Sequence, residues 1–75
     1  MMRYKIDVVK ELSKRGYNSA RIRKEKFLAE STVQKLRRGQ GVSWENIDAI
    51  CVMLRCQPGD ILEVVISDEE KIKYF

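Results

Sequence analysis

Residues 18–39, NSARIRKEKFLAESTVQKLRRG, constrain the fold of this chain most, because they contain two short helical patterns joined by a turn. Asn18 is a favoured N-cap residue, and Tyr17 before it and Ile22 after it form a hydrophobic-staple pattern. The pattern predicts a first, polar helix that ends near residues 24–26. The rest of the chain is expected to support this pair of helices.

The second helical pattern separates apolar from polar side chains. Val33 and Leu36 lie three residues apart, which puts them on one face of a helix, toward the core. At about 100° per residue, the opposite face carries hydroxyl, amide and cationic side chains: Ser31, Gln34, Lys35 and Arg38. Side chains of these types hydrogen-bond base edges and phosphates. Gly39 is a favoured residue just after a helix and is expected to end this one.

Charge is distributed unevenly along the chain, whose net charge is +4. Residues 21–38 contain seven Lys or Arg against two acids, a net charge of +5. Residues 39–70 contain one Arg against seven acids, a net charge of −6. A basic segment that coincides with a polar helical face is typical of a nucleic-acid-binding protein. The alternative is a solvated surface helix, and charge alone does not decide between the two.

The segments STVQKLRRG and SWENIDAICVMLRCQPGDIL resemble the phage repressor/Cro superfamily (XRE type) of helix-turn-helix DNA-binding domains. The similarity covers about residues 6–65. It is most specific in CQPGDIL, which resembles the C-terminal segment of the members of a small, single-domain sub-group. It implies an all-α, five-helix domain whose third helix enters the DNA major groove, with room for a short strand at each terminus. The chain departs from the family at three positions. Phe27 replaces a turn-compatible residue such as glycine, Ala29 replaces a Ser or Thr helix cap, and Lys26 replaces a residue that is commonly small or apolar.

The resemblance also implies roles for individual residues. The positions that face bases in the family are occupied by Glu30, Ser31, Gln34 and Lys35. The candidates for phosphate contacts are Ser19, Arg23, Thr32, Arg37 and Arg38. Members of the family commonly bind palindromic double-stranded DNA as homodimers, so a homodimer is expected here. No cofactor and no small-molecule ligand are expected.

Three further helices are predicted around this pair. Asp7 is the N-cap of a first helix that ends near Gly16. Ser43 is the N-cap of a fourth, and Pro58, favoured at the first helical position, opens a short fifth. Their core positions are expected to be Val8, Val9, Leu12, Ile47, Ile50, Cys51, Leu54, Ile61 and Leu62. Trp44 is expected to be a partly buried packing residue rather than a contact to a partner.

The two ends of the chain contain a possible strand pair and an apolar tail. Residues 62–66 are rich in β-branched residues, and a lone strand needs a mate. The predicted mate is residues 3–6 of the same chain, or the same strand of a second chain. The tail SDEEKIKYF ends with Ile72, Tyr74 and Phe75, which are either frayed or packed, for example against a dimer partner.

The length and composition of the chain limit the classes of protein to which it can belong. A chain of 75 residues is expected to form one domain, with a core at about residues 6–65 and a tail at 66–75, and it buries only about 60% of its unfolded surface. A hydrophobic content of 44% argues against disorder, and no apolar run approaches about 18 residues, which argues against a membrane span. The N-terminal residues lack a secretory h-region, so a cytoplasmic protein is expected.

Catalytic chemistry is not indicated. The chain has no His and no Gly-rich phosphate loop, and Cys51 and Cys56 are too few for a tetrahedral zinc site. Cys51 is interpreted as a buried, inert thiol, with a redox switch as the alternative. The expected function is therefore a sequence-specific DNA-binding regulator, acting as a repressor, and not an enzyme. The alternative is a protein-interaction module on the same fold, of the antitoxin or anti-repressor type, which the acidic second half and the apolar tail would favour.

Overall fold

The computed structural model describes residues 1–75 and contains six helices and a two-stranded sheet. In chain order the elements are β1 (Met2–Tyr4), α1 (Val8–Lys14), α2 (Ser19–Glu25), α3 (Glu30–Arg37), α4 (Trp44–Leu54), α5 (Pro58–Ile61), β2 (Leu62–Val64) and α6 (Asp68–Tyr74). The predicted mostly helical architecture is thus confirmed, although the number of helices is six rather than five. None of the helices has the length and apolar character of a membrane span.

One hydrophobic core is built from side chains of all five helices from α1 through α5 and of the turn between α2 and α3. Its buried side chains are Val8, Leu12, Ile22, Leu28, Val33, Leu36, Ile50, Cys51, Leu54 and Ile61. Leu12, Ile50 and Ile61 are completely inaccessible to solvent and mark the centre of this cluster. Val9, Ile47 and Leu62, predicted as core positions, are only partly buried and pack against it. The helical spacing of apolar residues therefore located the core correctly.

Side-chain caps begin the first, second and fourth helices. Asp7, Asn18 and Ser43 each accept a hydrogen bond from the backbone N–H three residues later, over 3.1, 2.8 and 3.1 Å. Each such bond satisfies one of the N–H groups that the first turn of a helix leaves without a partner. The three predicted N-caps are confirmed.

The two strands pair within one chain. β1 and β2 are antiparallel, in the register Met2 with Val64, Arg3 with Glu63 and Tyr4 with Leu62. Tyr4 and Leu62 pack against the core, whereas Met2 and Val64, one pair further along the same face, extend past it and are exposed. The same-chain mate is thus the correct one of the two predicted alternatives, although β1 spans residues 2–4 rather than the predicted 3–6.

The sixth helix occupies the segment that the sequence analysis treated as a tail. Ser67 and Glu70 form a capping box, in which the Ser67 hydroxyl accepts from the Glu70 N–H at 3.1 Å and the Glu70 carboxylate accepts from the Ser67 N–H at 3.1 Å. The Met1 ammonium donates to both Glu70 carboxylate oxygens at 2.8 Å and holds the pKa of Glu70 below its usual value. No α6 side chain is buried.

Trp44 differs from its predicted environment, because 88% of its surface is exposed. It lies at the first position of α4. Helical side chains lean toward the helix N-terminus, so a side chain at the first position projects beyond the helix instead of onto the core. The expectation of a partly buried packing residue was therefore wrong.

Gly39 ends α3 with a left-handed backbone (φ 71°), as predicted. The Gly39 N–H donates to the Leu36 carbonyl, and the Gln40 N–H donates to the Lys35 carbonyl at 2.8 Å. These two bonds form a Schellman motif, which satisfies carbonyls that the last helical turn leaves free.

Replacing Gly39 with Ala is expected to lower the free energy of unfolding by about 1 kcal/mol, because a Cβ disfavours the left-handed region. No atom lies within 4 Å of the added Cβ, so the loss would come from backbone strain alone. Gly41→Ala is the matched control, since that site is equally open and its φ lies outside the left-handed region. Urea unfolding of the two variants measures the difference, and equal stabilities would contradict the assignment.

Candidate nucleic-acid interface

The turn between α2 and α3 depends on a left-handed residue, Lys26, with φ 56°. From the family resemblance, a turn-compatible residue was expected at the position of Phe27, which is one residue after the left-handed Lys26. The Lys26 and Phe27 N–H groups both donate to the Ile22 carbonyl and close the end of α2. Ala29 is the N-cap of α3 and has no side-chain acceptor to offer, so α3 begins at Glu30 without a side-chain cap.

An aromatic and cationic cluster braces this turn. The rings of Tyr17 and Phe27 meet edge to face with centroids 5.6 Å apart. The Arg21 guanidinium lies 4.7 Å from the Tyr17 centroid and 5.8 Å from the Phe27 centroid, and it donates to Glu25 at 3.0 Å. Such contacts stabilise by about 0.5–1 kcal/mol at exposed sites. Sequence reasoning missed this bracing role of Arg21, although an aromatic residue on each side of α2 was a signal for it.

The outer face of α3 carries polar side chains that the protein leaves unused. Ser31, Gln34 and Lys35 are exposed, and none of their side chains forms a hydrogen bond or an ion pair within the chain. Glu30 is also exposed, and its carboxylate lies 3.8 Å from the Arg23 guanidinium. Burial of Val33 and Leu36 on the opposite face fixes this orientation. The structure thus brings the four residues predicted to face bases onto one surface.

Two residues predicted to contact phosphates meet across the helix pair. The Arg37 guanidinium, at the end of α3, donates to the Ser19 hydroxyl, at the start of α2, over 2.8 Å. A groove of about 410 Å³ between the two helices is lined by both residues and by Arg23, Glu30 and Gln34. Arg38 lies just beyond α3, exposed and without a partner.

Thr32 does not belong to this surface. Only 6% of it is exposed, and its hydroxyl accepts a hydrogen bond from the Asn46 side-chain amide at 3.1 Å. Its neighbours in α3 place it on the side that faces α4. The Thr32 hydroxyl therefore joins α3 to α4, and the phosphate contact predicted for Thr32 stays a prediction.

The cations of this region are mostly without acidic partners. Of the seven Lys and Arg in residues 21–38, only Arg21 and Arg23 have a carboxylate within 4 Å. The other five, Lys24, Lys26, Lys35, Arg37 and Arg38, form no ion pair. Charges that are not neutralised by neighbours sum to a positive field around the helix pair, which attracts a polyanion.

The cysteines give no sign of reactivity. Cys51 is buried, as predicted, and both thiols are free. Burial, together with the neighbouring Cys56, raises the pKa of the Cys51 thiol and disfavours the thiolate that reacts with oxidants. The structure contains no group of three or more metal-ligating side chains.

Comparison with known families identifies the protein family to which this pair of helices belongs. The sequence model of the Cro/C1-type HTH DNA-binding domain matches residues 8–67 of the 75-residue chain. The chain belongs to the Cro/C1-type helix-turn-helix family. A domain of this family binds double-stranded DNA in transcription regulation, and α2, the turn at Lys26 and α3 form its helix-turn-helix. No curated protein and no solved structure matches the chain.

Replacing Thr32 with Val separates its structural role from a DNA contact. The variant keeps the buried shape but leaves the Asn46 amide without its acceptor, so the free energy of unfolding should fall by about 1–3 kcal/mol. The DNA affinity of the folded variant should stay unchanged, because the hydroxyl is already bonded to Asn46. A weaker DNA affinity with unchanged stability would instead assign the hydroxyl to a phosphate.

Proposed function

We propose that this Cro/C1-type protein is a sequence-specific transcriptional regulator that reads the DNA major groove with α3. The observation that carries the proposal is the outer face of α3, where Ser31, Gln34 and Lys35 are exposed and have no partner in the protein. Unpaired polar groups beside unpaired cations are suited to base edges and phosphates. A merely solvated helix would not need a brace such as the Arg21 cluster at the turn before it.

Each side chain of this face suits a different base edge. Lys35 can donate to the O6 or N7 atom of guanine, and Gln34 can pair with adenine or hold a phosphate. Ser31 can donate or accept at either kind of edge. Glu30 can accept from the cytosine amino group, but it would have to leave Arg23, and their 3.8 Å ion pair is exposed and therefore weak.

The flanking cations are proposed to bind the DNA backbone. Arg37 is held against α2 by the Ser19 hydroxyl, which limits the conformations of a flexible side chain before DNA arrives. Ser19 itself is a candidate phosphate contact, as are Arg23 and Arg38. Each phosphate neutralised by such a residue releases condensed counterions, so affinity should fall steeply with salt.

The proposed output is repression by a homodimer. One copy of α3 reads only a few base pairs, and two copies on a palindrome place two such helices about one helical turn apart. Occupation of a promoter then blocks transcription. We propose that residues 1–75 act as one domain and that they act in the cytoplasm.

Replacing Lys35 with Ala should cost about 1–3 kcal/mol at one base-pair position and relax specificity there. Replacing Arg38 with Ala should weaken binding to specific and random DNA alike and reduce the magnitude of the salt slope by about one. Both side chains are exposed, so neither change should alter folding. Fluorescence anisotropy with specific and random duplexes at several salt concentrations measures both effects. If the two variants behaved alike, the proposed reading face would be wrong.

A selection from random duplex DNA at about 150 mM salt tests the proposal as a whole, since nonspecific attraction is largely screened there. Enrichment of an inverted repeat would support a dimeric regulator. An asymmetric half-site would keep the regulator and contradict the dimer. No enrichment would contradict sequence-specific reading.

A protein-interaction module on the same fold is the second candidate. It is favoured by exposed apolar side chains away from the DNA-facing helices, namely Trp44, Ile72 and Phe75. Such a module would bind DNA weakly and without sequence preference while it binds a protein tightly. The same selection, run beside a pull-down with the purified chain, distinguishes the two functions.

A further inference from the structure

Helix α6 projects from the rest of the protein. The radius of gyration is 13.9 Å, whereas a compact chain of this length has about 11 Å. The longest dimension is 46 Å against 22 and 19 Å for the other two. No α6 side chain belongs to the core or packs against it. The capping box at Ser67 and the Met1–Glu70 ion pair hold the start of this helix in its projecting position.

The apolar side of α6 has no partner within the chain. Ile72 and Phe75 lie three residues apart, on one side of the helix, and each is 84% exposed. Tyr74, between them in sequence, is 71% exposed. Isolated helices shorter than about 12–15 residues are marginal in water, so a helix of seven residues needs a contact surface.

A groove between α4 and the sheet, at the edge of the core, offers such a surface. Its volume is about 780 Å³, and its apolar lining includes Met2, Tyr4, Trp44, Val52 and Leu62. The inner face of the sheet, where it extends past the core, forms one wall, and α4 forms the other. Trp44 and Val52 are 88% and 69% exposed, so nothing in the chain covers this groove.

We propose that α6 of one copy of this protein docks into the α4 groove of a second copy, and that the second copy returns the contact. This inference deepens the homodimer of the proposed function and rests on it. The occupant is a second copy because each chain carries both halves of the contact: an unpartnered apolar helix face and an unfilled apolar groove.

The apolar side of α6 and the groove together supply a large share of the area that a stable dimer buries. Buried aromatic side chains contribute about 150–250 Å² each, so Trp44 and Phe75 together supply about half of the roughly 800 Å² per partner of a standard interface. Ile72 and Val52 add to this area. Charge also agrees, because Arg55 lines the groove without an ion pair and Glu69, in the first turn of α6, has none either.

Trp44 is the only tryptophan of the chain and lies in the groove, so its fluorescence reports whether the groove is filled. Docking of a second copy should shift its emission to shorter wavelength as the concentration rises from about 1 µM to about 1 mM. A shift that did not depend on concentration, in a chain that sediments as a monomer, would mean that α6 fills its own groove, and would overturn the proposal. Emission of a fully exposed indole at every concentration would overturn it as well.

Two variants test the two halves of the contact by sedimentation equilibrium. Ile72→Glu places a charge on the apolar side of α6, and Val52→Glu places one in the groove. Both side chains are exposed, so the core stays intact. Each variant should weaken the dimer by about tenfold or more. Val65→Glu is the matched control, because Val65 is an exposed valine outside both α6 and the groove lining, and it should dimerise like the wild type.

Mixing the two variants makes the test specific. In a mixed dimer, the unaltered α6 of Val52→Glu meets the unaltered groove of Ile72→Glu, so one of the two contacts is restored. The mixture should therefore dimerise more tightly than either variant alone. A mixture no tighter than its components would overturn docking of α6 into the groove, as would two variants that dimerise like the wild type.

The outcomes separate this inference from the proposed function. A wild-type dimer that both variants leave unchanged would keep the proposed dimer and reject this surface. A wild type that stays monomeric up to about 1 mM would reject both. In either case the DNA selection stands independently, because a monomer can still enrich a half-site.

Discussion

The burial of Val33 and Leu36 is the constraint on which the exposed polar face of α3 depends. These two side chains fix the rotation of α3, and everything on the opposite side of that helix must then face solvent. The hydrogen bond between Thr32 and Asn46 adds a directional contact to this apolar one and ties α3 to α4. The polar face is consequently held in place by groups on the other side of the helix. The core fixes the orientation of this face, and the exposed side chains determine which hydrogen-bonding and charged groups it presents.

Much of this arrangement follows from the sequence because it depends on local periodicity. The spacing of Val33 and Leu36 was sufficient to orient α3, and the caps at Asp7, Asn18 and Ser43 were sufficient to place three helix starts. Gly39 marked the end of α3, because few other residues readily adopt the left-handed backbone conformation that it has there. The residues proposed to face bases were identified from family resemblance, and the structure adds that they share one exposed face.

The remaining differences arise where the outcome depends on contacts distant in sequence. Burial of Thr32 depends on Asn46, fourteen residues away, and helical periodicity alone does not distinguish the edge of a polar face from the edge of a core. Trp44 is apolar, yet no other element extends over the first turn of α4. The sixth helix was missed because its apolar residues pack on nothing in the chain, although the Ser67 and Glu70 capping pattern was readable.

Lys26 and Arg55 share a feature whose consequence is energetic. Both have left-handed backbones, at φ 56° and 54°, and both are the C-cap residues of helices, α2 and α4. A residue with a Cβ loses about 1–2 kcal/mol in that conformation. A cation beside the partial negative charge of a helix C-terminus recovers about 0.3–1 kcal/mol. At both helix ends the electrostatic attraction therefore offsets only part of the steric cost. Glycine at either site would remove that cost and lose the attraction.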